Sequence, residues 1–454
     1  MTAPAAERRA KRLSPLTPLV RSFILLVAVF AYTWDDIVLG DVGPIAWVFL
    51  ALLVAGAVYG TASWLRTKYW IESDELRVDT GVVSRQSRRI RVDRLQGIDI
   101  VQPLVARLFG LAELKMDVAG GGASEGSLAF LPLKEAQDLR DTLLARRDAV
   151  RAARTPGEPV EPGPDEQAGS PPPVPEQVVA ELDLRTLVVS LLLSPSTVLF
   201  AIAAVVLGVV FAVFGEVGGL AGVVPVVAGF ALNLGSKLAA YYRFTVMTTE
   251  SGSAAGIQVR RGLLELSAQT VALSRVQGVV VTEPLLWRGF GWARLDVALA
   301  GYATPDGNGK PSASTLMPVA PRPLVVWLAR RVLEHSGSPD LDEVVLSPPP
   351  ERSRWVAPVR RGFLLAGVGE HLVVSREGIV TKRTHAVPHA RVQSLQVLQG
   401  PWQRRLGLAD LQVDSPPGPV KVRVRHRDAG EARRLLDQEN EVARAARELS
   451  RLQG

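Results

Sequence analysis

The chain has 454 residues and no cysteine. That absence excludes disulfides, iron–sulfur clusters and thiolate zinc sites, and it suits a reducing compartment. Histidine is sparse, five in all, and scattered. His385 and His389 stand on either side of Pro388 without an acidic or sulfur partner at ligand spacing, so neither a metal nor another cofactor is expected. Charge is missing from two long stretches, Val42 to Leu65 and Leu187 to Phe214. No ionisable residue sits at their centres, which argues against a proton relay or an ion pathway. Catalytic signatures are missing too. Gly309-Lys310 is no phosphate loop, because Thr304 stands five residues before Gly309 and Pro311 replaces the magnesium-binding hydroxyl. Gly120 to Gly122 reads as a hairpin turn, since no helix follows to make a dinucleotide site. The serine-rich stretches lack a nucleophile elbow. The chain reads as a non-enzyme.

What is present is a repeat. Residues 94–110 read RLQGIDIVQPLVARLFG, residues 275–291 RVQGVVVTEPLLWRGFG, and residues 391–407 RVQSLQVLQGPWQRRLG. Each copy has Arg (Arg94, Arg275, Arg391) and, two residues on, Gln (Gln96, Gln277, Gln393). A second Arg follows at offset thirteen (Arg107, Arg288, Arg404) and Gly at sixteen (Gly110, Gly291, Gly407). Fixed spacing inside the copies with unequal gaps between them indicates three copies of one domain and not a solenoid. Each copy predicts a β-branched strand, then a proline that ends pairing and opens a short helical stub, then a glycine before the next strand. The Arg and Gln side chains have two readings: they tie strand to stub within the domain, or they face a ligand or partner.

This motif resembles the bacterial pleckstrin-homology (PH)-like domains of the YdbS/YdbT-like membrane proteins, formerly a domain of unknown function. The likeness covers most of the chain outside the N-terminal tail and the linkers. Ser394 breaks the pattern in the third copy, where the first two have Gly97 and Gly278. The resemblance implies membrane hairpins joined to three such domains.

The order of segments agrees with that plan. Residues 1–18 form a basic tail, and residues 19–65 a transmembrane hairpin with Asp35, Asp36 and Asp41 at its turn. Residues 66–147 form the first PH-like domain: six or seven strands making a β-barrel or sandwich, then a helix whose stripe is Leu133, Ala136, Leu139 and Leu143. A Pro-rich linker covers 148–184, a second hairpin 185–240, the second domain 241–335, another Pro-rich linker 336–350, and the third domain 351–454 with a basic C-terminal helix. The third domain has no hairpin of its own; Phe363 to Val368 is too short to cross a bilayer. Basic residues flank both hairpins and acidic ones mark the turns, so the positive-inside rule puts the termini and all three domains in the cytoplasm.

The net charge of +7 is local. Residues 351–454 hold 19 Lys/Arg against 11 Asp/Glu, which leaves the remainder nearly balanced. Beside membrane segments, the anionic inner leaflet is a nearer partner for such charge than nucleic acid. The candidate lipid-facing residues are Arg85, Arg88, Arg89 and Arg91 in the first domain and Arg352, Arg354, Arg360 and Arg361 in the third. The solvated strand face is the plainer alternative for the first group. Two functions remain open. One is a membrane-anchored scaffold that binds a protein partner or a smaller family paralogue, in an envelope-stress or antimicrobial-resistance setting. The other is an anionic-lipid-binding protein.

Overall fold

In the computed structural model, residues 11–12, 14, 44–72, 74–81, 86–118, 127–154, 177–214, 219–249, 256–299, 315–334, 341, 343–414 and 419–452 are described, a few of their side chains excepted. They fall into two compact units: 1–172 with 264–270, and 173–263 with 271–454.

The first unit holds the first repeat. A short strand β1 (Lys11–Arg12) and helix α1 (Pro44–Arg66) precede β2 (Lys68–Glu72), β3 (Glu75–Thr80) and β4 (Gln86–Arg91). These strands pair antiparallel in the order β1-β2-β3-β4. A 3-10 turn, Val92–Arg94, leads into β5 (Leu95–Pro103), the stub α2 (Leu104–Leu108), β6 (Leu111–Val118) and β7 (Ser127–Pro132). Helix α3 (Leu133–Arg154) closes the domain. Alternate residues of the strands point inward, so Leu76, Val78, Leu95, Ile98 and Leu114 meet Ala136 and Leu143 of α3 in one core. Two expectations change here. Lys11 pairs with Tyr69 and Arg12 with Lys68, so both belong to the sheet, not to a free tail. The helix runs on to Arg154, into the stretch read as linker.

The second unit begins with β8 (Gln177–Glu181), again inside the expected linker. Helices α4 (Leu184–Leu192), α5 (Pro195–Phe214) and α6 (Gly219–Tyr241) follow, then β9 (Thr245–Thr249) and β10 (Gly256–Arg261). β11 (Glu265–Ala272) is divided: residues 264–270 pack in the first unit. After the 3-10 turn Leu273–Arg275 come β12 (Val276–Pro284), stub α7 (Leu285–Arg288), β13 (Trp292–Leu299), β14 (Thr315–Pro321) and α8 (Arg322–Glu334). The third repeat has β15 (Leu365–Val368), β16 (Leu372–Glu377), β17 (Thr381–Pro388), the turn His389–Arg391, β18 (Ser394–Leu398), stub α9 (Pro401–Arg405), β19 (Leu408–Asp414), β20 (Val422–Asp428) and α10 (Ala429–Leu452).

The first two repeats start on a pair of strands that flank an excursion, and the third on a single bridge between Ser347 and Ala366. β8 pairs with β9, and Leu182 N–H donates to the Phe244 carbonyl at 2.8 Å, which sews together the entry and exit of residues 183–243. Within that excursion Phe200 of α5 stacks on Phe230 of α6, ring centres 3.9 Å apart. In the first repeat the β1–β2 pair brackets α1 and residues outside the described set, among them the first span of the expected hairpin. In the third repeat Ser347 and Ala366 exchange two backbone hydrogen bonds of 3.0 and 3.1 Å. There only short 3-10 turns at Glu351–Trp355 and Arg361–Phe363 lie between them. The apolar run Phe363 to Val368 ends in β15.

The expected continuous span Leu187–Phe214 is broken. Ser194 precedes Pro195, whose ring disfavours helical backbone in the residue before it. Ser194 instead caps α5, accepting from Thr197 N–H at 3.3 Å. Counted over the described residues, no single helix is long and apolar enough to cross a membrane. The bent pair Leu184–Leu192 with Pro195–Val210, 50° between axes, meets the test by length and composition.

Candidate functional site

The repeated motif builds one backbone device three times. The first Arg ends the 3-10 turn ahead of β5, β12 and β18. The motif glycines all have left-handed backbone, φ +65° at Gly110 and Gly291 and +63° at Gly407, a conformation open to glycine at little cost. Each donates its N–H to the carbonyl of the second motif Arg: Arg107 at 3.1 Å, Arg288 at 3.1 Å and Arg404 at 3.2 Å. Each offers its own carbonyl to the start of the closing helix, at Leu133, Arg322 and Ala429. The spacing Arg-x-x-Gly is therefore the cap of the stub, and it hangs the C-terminal helix on the motif strand.

One position that the sequence reading passed over repeats as well. Eight residues after the first Arg stand Gln102, Glu283 and Gln399. Gln102 Nε2 donates to the Leu111 carbonyl at 3.1 Å, and Gln399 Nε2 to the Leu408 carbonyl at 2.8 Å. Their fixed offset was a readable signal.

The motif strand is also a junction. In the second unit β12 pairs antiparallel with β17, Pro284 opposite Thr381 through Val279 opposite Ala386. Val280 and Ala298 join Val373, Val387, Val420 and Val422 of the third repeat in a shared apolar cluster. A Cβ on Gly278 would lie 2.7 Å from the Ala386 carbonyl oxygen, so only glycine lets the two backbones approach. Glu283, buried, bridges Lys382 at 3.0 Å and Arg322 at 2.7 Å. Burial pushes its carboxyl up, but the two cations outweigh that and hold it below the usual carboxylate range. Arg288 donates to the Glu283 carbonyl at 3.3 Å and across the junction to the Ile379 carbonyl at 2.9 Å. Arg391 reaches back to the Ser274 carbonyl at 2.9 Å.

In the first unit β5 takes the strand 265–268 in the same way: Pro103 opposite Glu265, through Ile100 opposite Ala268. Counted from the first motif Arg, offset +9 faces offset −10 of the following repeat in both places. The register is identical.

The remaining site residues are placed as follows. Gln277 is buried and donates to the Arg275 carbonyl at 3.3 Å, Gln393 is exposed, and the Gln96 side chain is outside the described residues, as is Arg85. Arg94, Arg107 and Arg404 are exposed. Arg88, Arg89 and Arg91 are exposed along β4, where Arg91 pairs with Asp93 at 2.7 Å. Arg352 is tied to Asp428 and the Gly407 carbonyl, and Arg361 to the carbonyls of Pro349 and Pro350. Both bond within their own domain, Arg352 at its surface. Arg354 stacks on Trp355, and Arg360 is exposed. His385 and His389 do not come together as ligands. His385 Nδ1 accepts the Lys421 N–H at 3.2 Å, and burial lowers this imidazole to about 4. His389 Nδ1 lies 2.6 Å from Glu439, both buried. Among the described residues no group of His, Asp and Glu could hold a metal ion.

This fold and its repeated strand, stub and closing helix define a class. The family model for the bacterial PH domain matches residues 22–147, 187–334 and 354–442, most of the chain, and the chain belongs to that family. A curated relative is the UPF0699 transmembrane protein YdbT of Bacillus subtilis (strain 168), 23% identical over 278 residues, 56% of this chain and 53% of that protein. The chain thus spans about half the length of the curated relative it matches. Among solved structures, a DNA polymerase sliding clamp from Pseudomonas aeruginosa aligns over 80% of this chain and 76% of that one, at 9% identity. Its TM-score of 0.08 carries no argument about the fold.

Proposed function

We propose that the chain is a membrane-anchored, non-enzymatic scaffold, with three PH-like domains at the inner leaflet that assemble with protein partners. The observation that carries this reading is the closed base of the 183–243 excursion. The β8–β9 pair and the Leu182–Phe244 bond return an apolar segment to the sheet it left. An apolar excursion with both ends on one domain supports a hairpin anchor, and the transmembrane name of the relative supports a membrane setting. In this reading α4 and α5 together make one arm of the hairpin, bent at Ser194-Pro195, and α6 makes the other. The sharing of strands between repeats supports assembly as the task of the domains. Family likeness alone carries the expectation of an envelope-stress or antimicrobial-resistance role. Reporter fusions test the anchor. A reporter active only outside the cytoplasm should be silent after Gly454 and active when inserted at 215–218; the reverse pattern would overturn the reading.

One feature favours the lipid alternative as a second contact. Trp355 and Trp402, 73% and 69% exposed, line a cleft of about 590 Å³ with Val356, Arg405 and Leu406. Arg354 and Arg405 stack over the two rings. Aromatic rings beside arginine suit the headgroup layer of an anionic leaflet. Brominated anionic lipid should quench the fluorescence of the reconstituted protein, and quenching should fall in the Trp355→Phe/Trp402→Phe variant. Equal quenching in both would remove the lipid contact.

A further inference from the structure

Among the described residues, two strand edges are the unfilled halves of a junction that the chain makes twice. The motif strand of the first repeat, β5, carries the strand 265–268, and the motif strand of the second, β12, carries β17. The motif strand of the third, β18, is the terminal strand of its sheet, β18-β19-β20, among the described residues. At the other end of the chain β4, which stands before its motif as β11 and β17 stand before theirs, is the terminal strand of β1-β2-β3-β4 among the described residues. Exposure follows the same division. β12 is buried at every residue but Thr282, while β18 is exposed at Ser394, Gln396 and Leu398. β17 is buried from Thr384 to Pro388, while β4 is exposed at every residue but Ile90. Open strand edges are templates for pairing with another chain.

We propose that β18 of one copy pairs antiparallel with β4 of a second copy, in the register of the two junctions already inside the chain. The +9/−10 rule places Leu398 opposite Gln86, Val397 opposite Ser87 and Gln396 opposite Arg88. Ser394, where the second repeat has Gly278, bars the close approach at that end. Pairing then begins at Leu395 or beyond, as the β5 junction also stops short of Gly97. The side-chain bonds of the built junction have their counterparts. Arg404, exposed, corresponds to Arg288, which caps the hairpin of the incoming repeat. Arg94 of the second copy, exposed, corresponds to Arg391, which reaches back to the carbonyl of Ser274, and its acceptor is the carbonyl of Ala390. The sheet face that Arg88 joins carries Asp410 and Asp414 on β19, opposite Leu398 and Ser394. Two different surfaces meet, so the contact is head to tail and generates a ring or a filament, not a two-fold dimer.

This inference extends the scaffold reading but does not depend on the hairpins, and its test is separate from the reporter fusions. The chain has no cysteine, so introduced pairs report without background. Gln86 and Leu398 are exposed, the latter 47%, so their replacement removes little packing. Residues opposite each other in an antiparallel pair have Cα atoms about 4.5–5.5 Å apart, within disulfide reach. Two full-length copies with different tags, one Gln86→Cys and one Leu398→Cys, should form a disulfide-linked heterodimer on mild oxidation of membranes. A chain carrying both cysteines should form a ladder. Pairing Ser87→Cys with Leu398→Cys puts the thiols on opposite sheet faces and should lose most of the product, as should Arg404→Ala added to the in-register pair. Thermal melting of each variant confirms its fold. The proposal is overturned by absence of the heterodimer in folded protein, by equal yield from the two pairs, by 86–86 or 398–398 products alone, or by a double-cysteine chain that closes on itself without a ladder.

Discussion

Replacing Gly278 by alanine would set a methyl group 2.7 Å from the Ala386 carbonyl oxygen and 3.0 Å from Val387 Cγ2. Replacing Gly291 would meet nothing within 4 Å, but would force alanine into φ +65°. The two glycines belong to one motif and are needed for different reasons, one for space and one for backbone conformation. Gly278→Ala should cost about 1–3 kcal/mol through overpacking, felt as a looser third repeat. Gly291→Ala should cost about 1–2 kcal/mol in the second repeat itself. Hydrogen exchange separates them: the first change should speed exchange in β17, the second in α8, and the opposite assignment would refute the account. The Arg and Gln of the motif divide similarly. Arg288 acts across the junction, whereas Gln277 bonds its own turn. Sequence spacing could show that these positions matter, but not which neighbour each one meets, because the neighbour comes from another repeat.

At the scale of elements, the strands announce their coverage. β12 reads Val-Val-Val at 279–281 and is covered on both faces, as a near-continuous apolar run implies. β18 alternates Leu395, Gln396, Val397 and is half covered. Helix α10 holds the third repeat through a contact that pattern reading missed. At −2 from the motif Arg the first two repeats have buried Val92 and Leu273, and the third has His389 against Glu439. Burial pulls this imidazole down, but the hydrogen bond and charge of Glu439 outweigh it and raise its pKa. A raised histidine stabilises fully below its unfolded value, about 6.5, and the contribution is lost as pH rises through the folded value. The third repeat should therefore become easier to melt as pH rises above about 6.5. Glu439→Gln should flatten that dependence, and Glu439→Ala should cost about 1–3 kcal/mol, because the buried imidazole then neutralises and loses a hydrogen-bond partner. A pH-independent melt in the parent protein would refute it.

For the whole molecule, the described part of the stretch 336–350, Leu341 and residues 343–350, is less a tether than its composition suggests. Val344 is buried and Leu341 and Leu346 pack on the core of the second repeat, while Ser347 bonds Ala366. A protease site placed at 336–340 should yield two fragments that stay together through β12–β17 at high salt, because the contact is mainly backbone pairing and apolar burial, and its ion pair, Glu283 with Lys382, is shielded by burial of Glu283. Fragments that separate would contradict the shared sheet. The sequence by itself determined that one domain is repeated three times, that each motif holds a strand, a stub and a glycine ahead of the next strand, and which segments are long and apolar. Those follow from local chemistry: proline ending a ladder, glycine at positive φ, and period-two alternation. Only the tertiary structure decided that the motif strand of one repeat carries a strand of the next, and that Lys11–Arg12 and Gln177–Glu181 are strands. Strand pairing joins backbones far apart in the chain through N–H and C=O groups that every residue carries, so composition cannot name the partner.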